Sequence, residues 1–94
     1  MNMERYMIIK LNKDADGQKL FKELSTLFKE ATKIEGVRKA DVYISNHDLK
    51  GRYDLMIKIR MKKKALKDFE VSDLNQKWQK DYSEYIEKLT VFDC

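Results

Sequence analysis

The run Asp54-Leu-Met-Ile-Lys-Ile-Arg-Met61 alternates without a break. Leu55, Ile57, Ile59 and Met61 fall on one side, and Asp54, Met56, Lys58 and Arg60 on the other. This period of two is the signature of a strand with one buried face. Such a strand needs hydrogen-bonding neighbours and an apolar layer over its greasy side. Reading outward finds both. Upstream, Val37 to Ser45 sets Ala40, Val42 and Ile44 against Asp41, Tyr43 and Ser45. The turn-rich Asn46-His-Asp-Leu-Lys-Gly51 between the two runs makes them a hairpin.

Further upstream, Tyr6-Met-Ile-Ile-Lys-Leu11 is short, apolar and partly β-branched, which predicts another strand. Asn12 to Gly17 supplies turn residues, with Asp14 or Asp16 as a helix cap. Leu20, Phe21, Leu24, Leu27, Phe28, Ala31 and Ile34 then share one face of a predicted helix, and Gly36 follows as a left-handed cap. Downstream, Lys62 to Phe69 predicts a short helix, with Ala65, Leu66 and Phe69 on one side. Ser72-Asp73 offers a fresh cap. Leu74, Trp78, Tyr82, Tyr85, Ile86 and Leu89 predict a second long helix with an aromatic stripe, and Leu89 to Phe92 a last strand.

The order is β-α-β-β-α-β, an α+β domain of the ferredoxin-like kind, with both helices on one face of a four-stranded antiparallel sheet. Residues 1–94 form a single domain, since two cores in 94 residues would each be too small to be stable. The helix-facing set is Met7, Ile9, Leu11, Val42, Ile44, Leu55, Ile57, Ile59, Leu89 and Val91. The other face receives Tyr6, Ile8, Tyr43, Met56 and Phe92 among charges. A solvated sheet face is mostly polar, and a patch of this kind is rarely left wet. The expectation is a homodimer in which Tyr6, Ile8, Tyr43, Met56 and Phe92 meet a second copy, sheet against sheet, about a two-fold axis.

With 43% hydrophobic and 38% charged residues, the composition excludes collagen-like, disulfide-stapled and disordered classes. Lys+Arg is 20 against Asp+Glu 16, a net charge of +4 that by itself names no partner. One cysteine, Cys94, forms no intramolecular disulfide, and one Cys with one His makes no four-ligand zinc site. The opening apolar run, Tyr6 to Ile9, is too short for a signal-peptide core or a membrane span, so the reading is a soluble, cytoplasmic protein with no cofactor.

Several residues carry candidate chemistry. Phe69, Asn75, Trp78 and Tyr82 define a ligand pocket at the second long helix, or else plain core packing. His47, beside Asp48, lies in a turn with no identifiable nucleophile or second ligand and reads as an exposed loop histidine. Cys94 reads as a frayed terminal residue. Lys62-Lys63-Lys64, with Arg60 before it, attracts phosphates or acidic partners, or is a solvated loop. RNA-recognition domains share the βαββαβ order and stack bases on aromatics of the third strand. Here Asp54 and Ile57 stand at those places, and nucleic-acid binding by the sheet falls behind.

The organisation, together with Arg5-Tyr-Met-Ile-Ile-Lys-Leu11, Glu35-Gly36-Val37, Tyr53-Asp54-Leu55 and Tyr85-Ile-Glu-Lys-Leu-Thr-Val-Phe-Asp93, resembles the stress-responsive A/B barrel (Dabb) domain over nearly the whole chain. The resemblance implies a dimeric α/β barrel and a small-molecule cavity between sheet and helices. It adds Arg5 to the pocket set. Family members that cyclise polyketides use a histidine near the start of the last long helix, a tyrosine before it and a histidine in the first strand. The matching positions here hold Asn75, Phe69, and Arg5 with Tyr6. Asparagine takes up no proton near neutral pH, so that acid–base set is not matched. The leading expectation is a homodimer that binds a hydrophobic or aromatic small molecule or has no chemistry of its own. A cyclase or cofactor-free oxygenase using Tyr82, Tyr6 or Arg5 is the alternative, and an RNA-binding module the third.

Overall fold

The structure, a computed structural model, describes residues 1–46 and 51–94. Four strands form one antiparallel sheet: β1 (Asn2–Leu11), β2 (Val37–Ile44), β3 (Leu55–Lys62) and β4 (Ile86–Asp93), in the order β2-β3-β1-β4. The central pair is β1 and β3, with Met7 opposite Ile57 and Ile9 opposite Leu55. Met3, Met7, Ile9 and Leu11 of β1 and Leu55, Ile57, Ile59 and Met61 of β3 are all buried on one side. The alternation around Asp54–Met61 is therefore the core face. Burying each such side chain contributes roughly 1.5–3 kcal/mol.

Three α-helices cover that face: α1 (Gly17–Phe28), α2 (Leu66–Val71) and α3 (Asp73–Tyr82). Asp16 caps α1, its Oδ1 accepting the Lys19 amide at 3.1 Å. The apolar stripe of α1 buries Leu20, Leu24 and Phe28. A single helix through Ile34 is not what forms: the chain tightens into a 3-10 segment (Lys29–Lys33) that still buries Ala31. Gly36 then turns the chain at φ +90°. Its position is crowded as well as left-handed, because a Cβ there would lie 2.8 Å from the Ala65 Cβ.

The C-terminal third corrects two expectations. The second long helix ends at Tyr82, and after a short 3-10 turn (Ser83–Tyr85) residues from Ile86 onward are strand. Ile86 and Leu89 fit a helical stripe, but β1 has a free edge of amides and carbonyls that only a fourth strand satisfies. Leu11 pairs with Ile86, Ile9 with Leu89 and Met7 with Val91. The second correction concerns the face of β4. Leu89 and Val91 sit on the helix side of the sheet as expected, yet they stay 41% and 48% exposed, because the helices stop short of this edge strand.

Asp54 ties the sheet together at the start of β3. Its carboxylate accepts the Leu11 amide at 2.8 Å and lies 3.4 Å from Lys10 Nζ. Its own amide donates to the Ile9 carbonyl at 2.8 Å, and its carbonyl accepts from the Ser45 amide at 2.9 Å. The hairpin of β2 with β3 is present, and the tip of the turn predicted between them, with His47, lies outside the described residues.

Gly36→Ala is expected to destabilise the protein by about 1–3 kcal/mol, since it adds both a left-handed strain and a clash. Gly51→Ala shares the positive φ, at +84°, but meets nothing within 4 Å, and is expected to cost less. Urea unfolding of the two variants checks the order, and an equal loss would contradict it.

Candidate functional site

The expected pocket at the third helix is filled by its own side chains. Phe69 is fully buried, and Trp78 nearly so. Trp78 meets Phe28 edge-on at 5.9 Å and Tyr82 at 6.3 Å. Asn75 is buried and spent on the joint between helices: its Nδ2 donates to the Glu70 carbonyl at 3.0 Å, and its amide donates to Ser72 Oγ at 3.2 Å. The Tyr82 hydroxyl donates to Glu23 Oε1 on α1 at 3.1 Å. Burial first, and the Glu23 carboxylate second, push this phenol up to about 12. A phenol held neutral so firmly is a poor base near pH 7.

Arg5 lies on the same side of the sheet and is brought to the Asn75 end through Glu70. Its guanidinium grips Asp93 with two bonds of 2.8 Å and reaches Glu70 Oε2 at 3.4 Å. The hydrogen bond to Asp93 raises Arg5 above its usual value and holds the Asp93 carboxyl below its own. This clasp joins β1 to β4 and to α2. Arg5 is thus already neutralised, while Tyr6 projects from the opposite face. The set Tyr82, Tyr6 and Arg5 does not converge on one point. Among the described residues no group of three or more His, Cys, Asp or Glu side chains is placed to hold a metal ion.

The outer face of the sheet is organised in cross-strand rows. Register sets Tyr43, Met56, Ile8 and Thr90 side by side across all four strands. The next row is Asp41, Lys58, Tyr6 and Phe92, and beyond it lie Lys39, Arg60 and Glu4. Tyr43 is 46% exposed and Phe92 58%, whereas Tyr6, Ile8 and Met56 are half-buried among their neighbours. The Tyr6 and Phe92 rings lie 6.5 Å apart, and Lys58 sits 5.6 Å over the Tyr6 ring. Glu4 gathers Arg60 at 3.2 Å, Lys58 at 3.5 Å and the Tyr6 hydroxyl at 3.2 Å, and the Arg60 bond lowers its carboxyl most. An apolar row flanked by paired charges is the composition of an interface core and its rim.

Sequence reasoning missed two features of this face. The Tyr53 hydroxyl lies 2.9 Å from Thr90 Oγ1, spanning β1 from the start of β3 to β4. That bond lowers its phenol, with the charge of Lys88 helping. A tyrosine just outside a strand gives no hint of such a reach. An apolar cleft of about 140 Å³ also opens beside it, lined by Ile8, Tyr43 and Met56 among others. Cys94 is exposed but not frayed: its backbone exchanges two hydrogen bonds of 2.9 Å with Glu4, extending the β1–β4 ladder. A groove of about 780 Å³ lies between the β1–α1 turn and the end of β2, with Lys10, Asp16 and Asp54 in its lining.

The Arg5–Asp93 clasp sets a pH dependence. Because the folded carboxyl is depressed, its contribution is complete above the unfolded value of about 3.9 and is lost as pH falls through the lower folded value. Asp93→Asn is expected to flatten the acid limb of a stability-versus-pH curve. An unchanged limb would show that the clasp is screened away.

No protein-family model matches the sequence, and no curated protein does. Solved structures do. A dimeric protein of unknown function with a ferredoxin-like fold, from Bacteroides fragilis, superposes with a TM-score of 0.84 at 13% identity, covering 99% of this chain and 94% of that one. The hydroxynitrile lyase of Passiflora edulis gives 0.77 at 10% identity, with 99% and 91% covered. A Dabb family protein with a ferredoxin-like fold, from Mesorhizobium loti, gives 0.73 at 15% identity, with 99% and 94% covered. At such identities the likeness is one of fold: this chain has the ferredoxin-like fold of a Dabb family protein, which supports the resemblance read from its sequence.

Proposed function

We propose that the chain acts as a homodimer whose two sheets pack outer face to outer face, closing an α/β barrel, and that assembly rather than acid–base catalysis is its working property. The observation that carries this reading is the apolar row Tyr43–Met56–Ile8 with the Tyr6–Phe92 pair beside it, framed by charges that already have partners. A two-fold axis through that row lays it on its own copy while the rims remain hydrated. The Bacteroides fragilis protein of the same fold, described as dimeric, supports the arrangement.

A catalytic reading has less to stand on. The Asn75 side chain is spent on the Glu70 carbonyl, Tyr82 is held neutral, and Arg5 is occupied by two carboxylates. A small apolar ligand between sheet and helices has one observation in its favour, the uncovered ledge on the helix side of β4. There Leu89 and Val91 lie bare, and Val71, next to the Arg5 partner Glu70, is 61% exposed. Arg5, joined to Asp93 and Glu70, supplies a polar end to that ledge. No helix among the described residues is long and apolar enough to cross a membrane. A cytoplasmic location rests on the sparse cysteine usage alone.

Native mass spectrometry at micromolar concentration is expected to give twice the mass of the 11.3 kDa chain. A retained small molecule adds its own mass to the same peak and supports the ledge as a ligand site, whereas a bare dimer supports assembly alone. Monomer at that concentration would contradict the proposal. Tyr43→Glu with Phe92→Glu, both at exposed positions, is expected to leave the circular dichroism unchanged and to weaken dimerisation roughly thirtyfold or more, as loss of interface anchors does.

A further inference from the structure

We propose that the end of the sheet where Arg38, Lys62, Lys63 and Lys64 gather is a binding surface for a chain of phosphate groups, supplied by a single-stranded nucleic-acid backbone or by inorganic polyphosphate.

This end differs from the faces of the sheet in how its charges are met. On the sheet, Arg5, Lys10, Lys39, Lys58 and Arg60 each have a carboxylate within 4.0 Å. Arg38, Lys62, Lys63, Lys64 and Lys67 have none among the described residues, nor any side-chain hydrogen bond. The modest net charge of +4 therefore hides a local excess.

The fold gathers these cations on a fixed frame. The Lys62 amide donates to the Gly36 carbonyl at 2.8 Å, and the Lys63 amide to the Met1 carbonyl at 2.8 Å. Those bonds bring the turn before β2, the end of β3 and the start of β1 together. Gly36 and Ala65 pack closely, since a Cβ on the glycine would lie 2.8 Å from that of Ala65. Two open clefts result. One, of about 350 Å³, has Arg38, Lys62 and Lys64 in its wall, with Glu35 as its one carboxylate. The other, of about 430 Å³, is lined by Met1 and the three lysines. Lys67 follows Lys64 by three residues along the helical run and so shares its side.

Folding alone gives no reason for this arrangement. Lys62, Lys63 and Lys64 repel one another, and no carboxylate among the described residues lies within 4.0 Å of any of them. An external anion removes that penalty. Lysine ammonium groups are point charges that suit phosphate oxygens from many directions, whereas the planar recognition of carboxylates is the province of arginine, of which there is one here. A phosphate chain therefore fits better than an acidic peptide. No aromatic side chain lines either cleft, so bases find no stacking platform and the contact is made to phosphates without sequence preference.

The test is fluorescence anisotropy of a labelled oligouridylate across a salt series, with inorganic polyphosphate and polyglutamate as competitors. Four phosphate contacts give a log–log salt slope of about −3, at roughly −0.7 per contact on a single strand. The variant K62A/K63A/K64A is expected to lose roughly three contacts' worth of slope, about 2 units, and to bind at least about tenfold more weakly. The charge-matched variant K13A/K22A/K80A, at exposed positions elsewhere, is expected to bind as the parent does. Competition by polyphosphate supports the shared phosphate chemistry, weaker competition per phosphate than by unlabelled oligouridylate assigns the nucleic-acid source, and oligonucleotide binding with no competition by polyphosphate would overturn the proposal. Binding of polyphosphate alone assigns the free anion. Equal loss in both variants, equal competition by polyglutamate, or no binding of either phosphate chain would overturn the proposal.

Discussion

The pairing of β1 with β3 sets two alternating strands in a register where both apolar faces coincide, Met7 against Ile57 and Ile9 against Leu55. Slipping one strand by a single residue would turn its whole apolar set to the other side and drive Lys58 and Arg60 into the core. Asp54 works against that slip. It receives the Leu11 amide on its carboxylate and gives its own amide to Ile9, so it reads the position of β1 from two atoms. The helix layer follows from this register, because Leu24, Phe28, Phe69 and Trp78 have one continuous apolar surface to lie on.

The same register also dictates the other face. Once the core residues are turned inward, Tyr43, Met56 and Ile8 have nowhere to go but into a single row, and Tyr6 must stand beside Phe92. Charges on that face are consumed locally: Glu4 by Arg60 and Lys58, and Lys39 by Asp41. Paired charges cost less to bring against another surface than lone ones do. The face is therefore not uniformly greasy. It has an apolar middle and neutralised flanks, while unpaired cations collect at one end of the sheet.

Much of this was legible in the sequence. The order of elements along the chain, the hairpin and the buried set of β1 and β3 follow from period-two and helical patterns, which leave few alternatives in so short a chain. The helix expected through Leu89 misled because Ile86 and Leu89 satisfy a helical stripe while Leu89 and Val91 satisfy a strand. Only the free edge of β1 decides between them, and that is a tertiary fact. The exposure of Leu89 and Val91 was hidden for a similar reason, since facing the helices is not the same as being covered by them. The site residues fared unevenly. Phe69, Asn75, Trp78 and Tyr82 were placed on the right elements, but whether neighbouring rings enclose space or fill it depends on distances no spacing encodes. The bond from Asn75 to Glu70 and the grip of Arg5 on Asp93 both link residues whose meeting requires the finished fold.

The central claim is that the Tyr43–Met56–Ile8 row lies against its own copy. Isotope-filtered nuclear Overhauser spectroscopy on a mixture of labelled and unlabelled protein tests it most directly, because it sees only contacts between subunits. The account predicts intermolecular signals from the Met56 and Ile8 methyl groups to aromatic protons of tyrosine and phenylalanine. Intermolecular signals confined to helix residues, or none from the outer face, would contradict it.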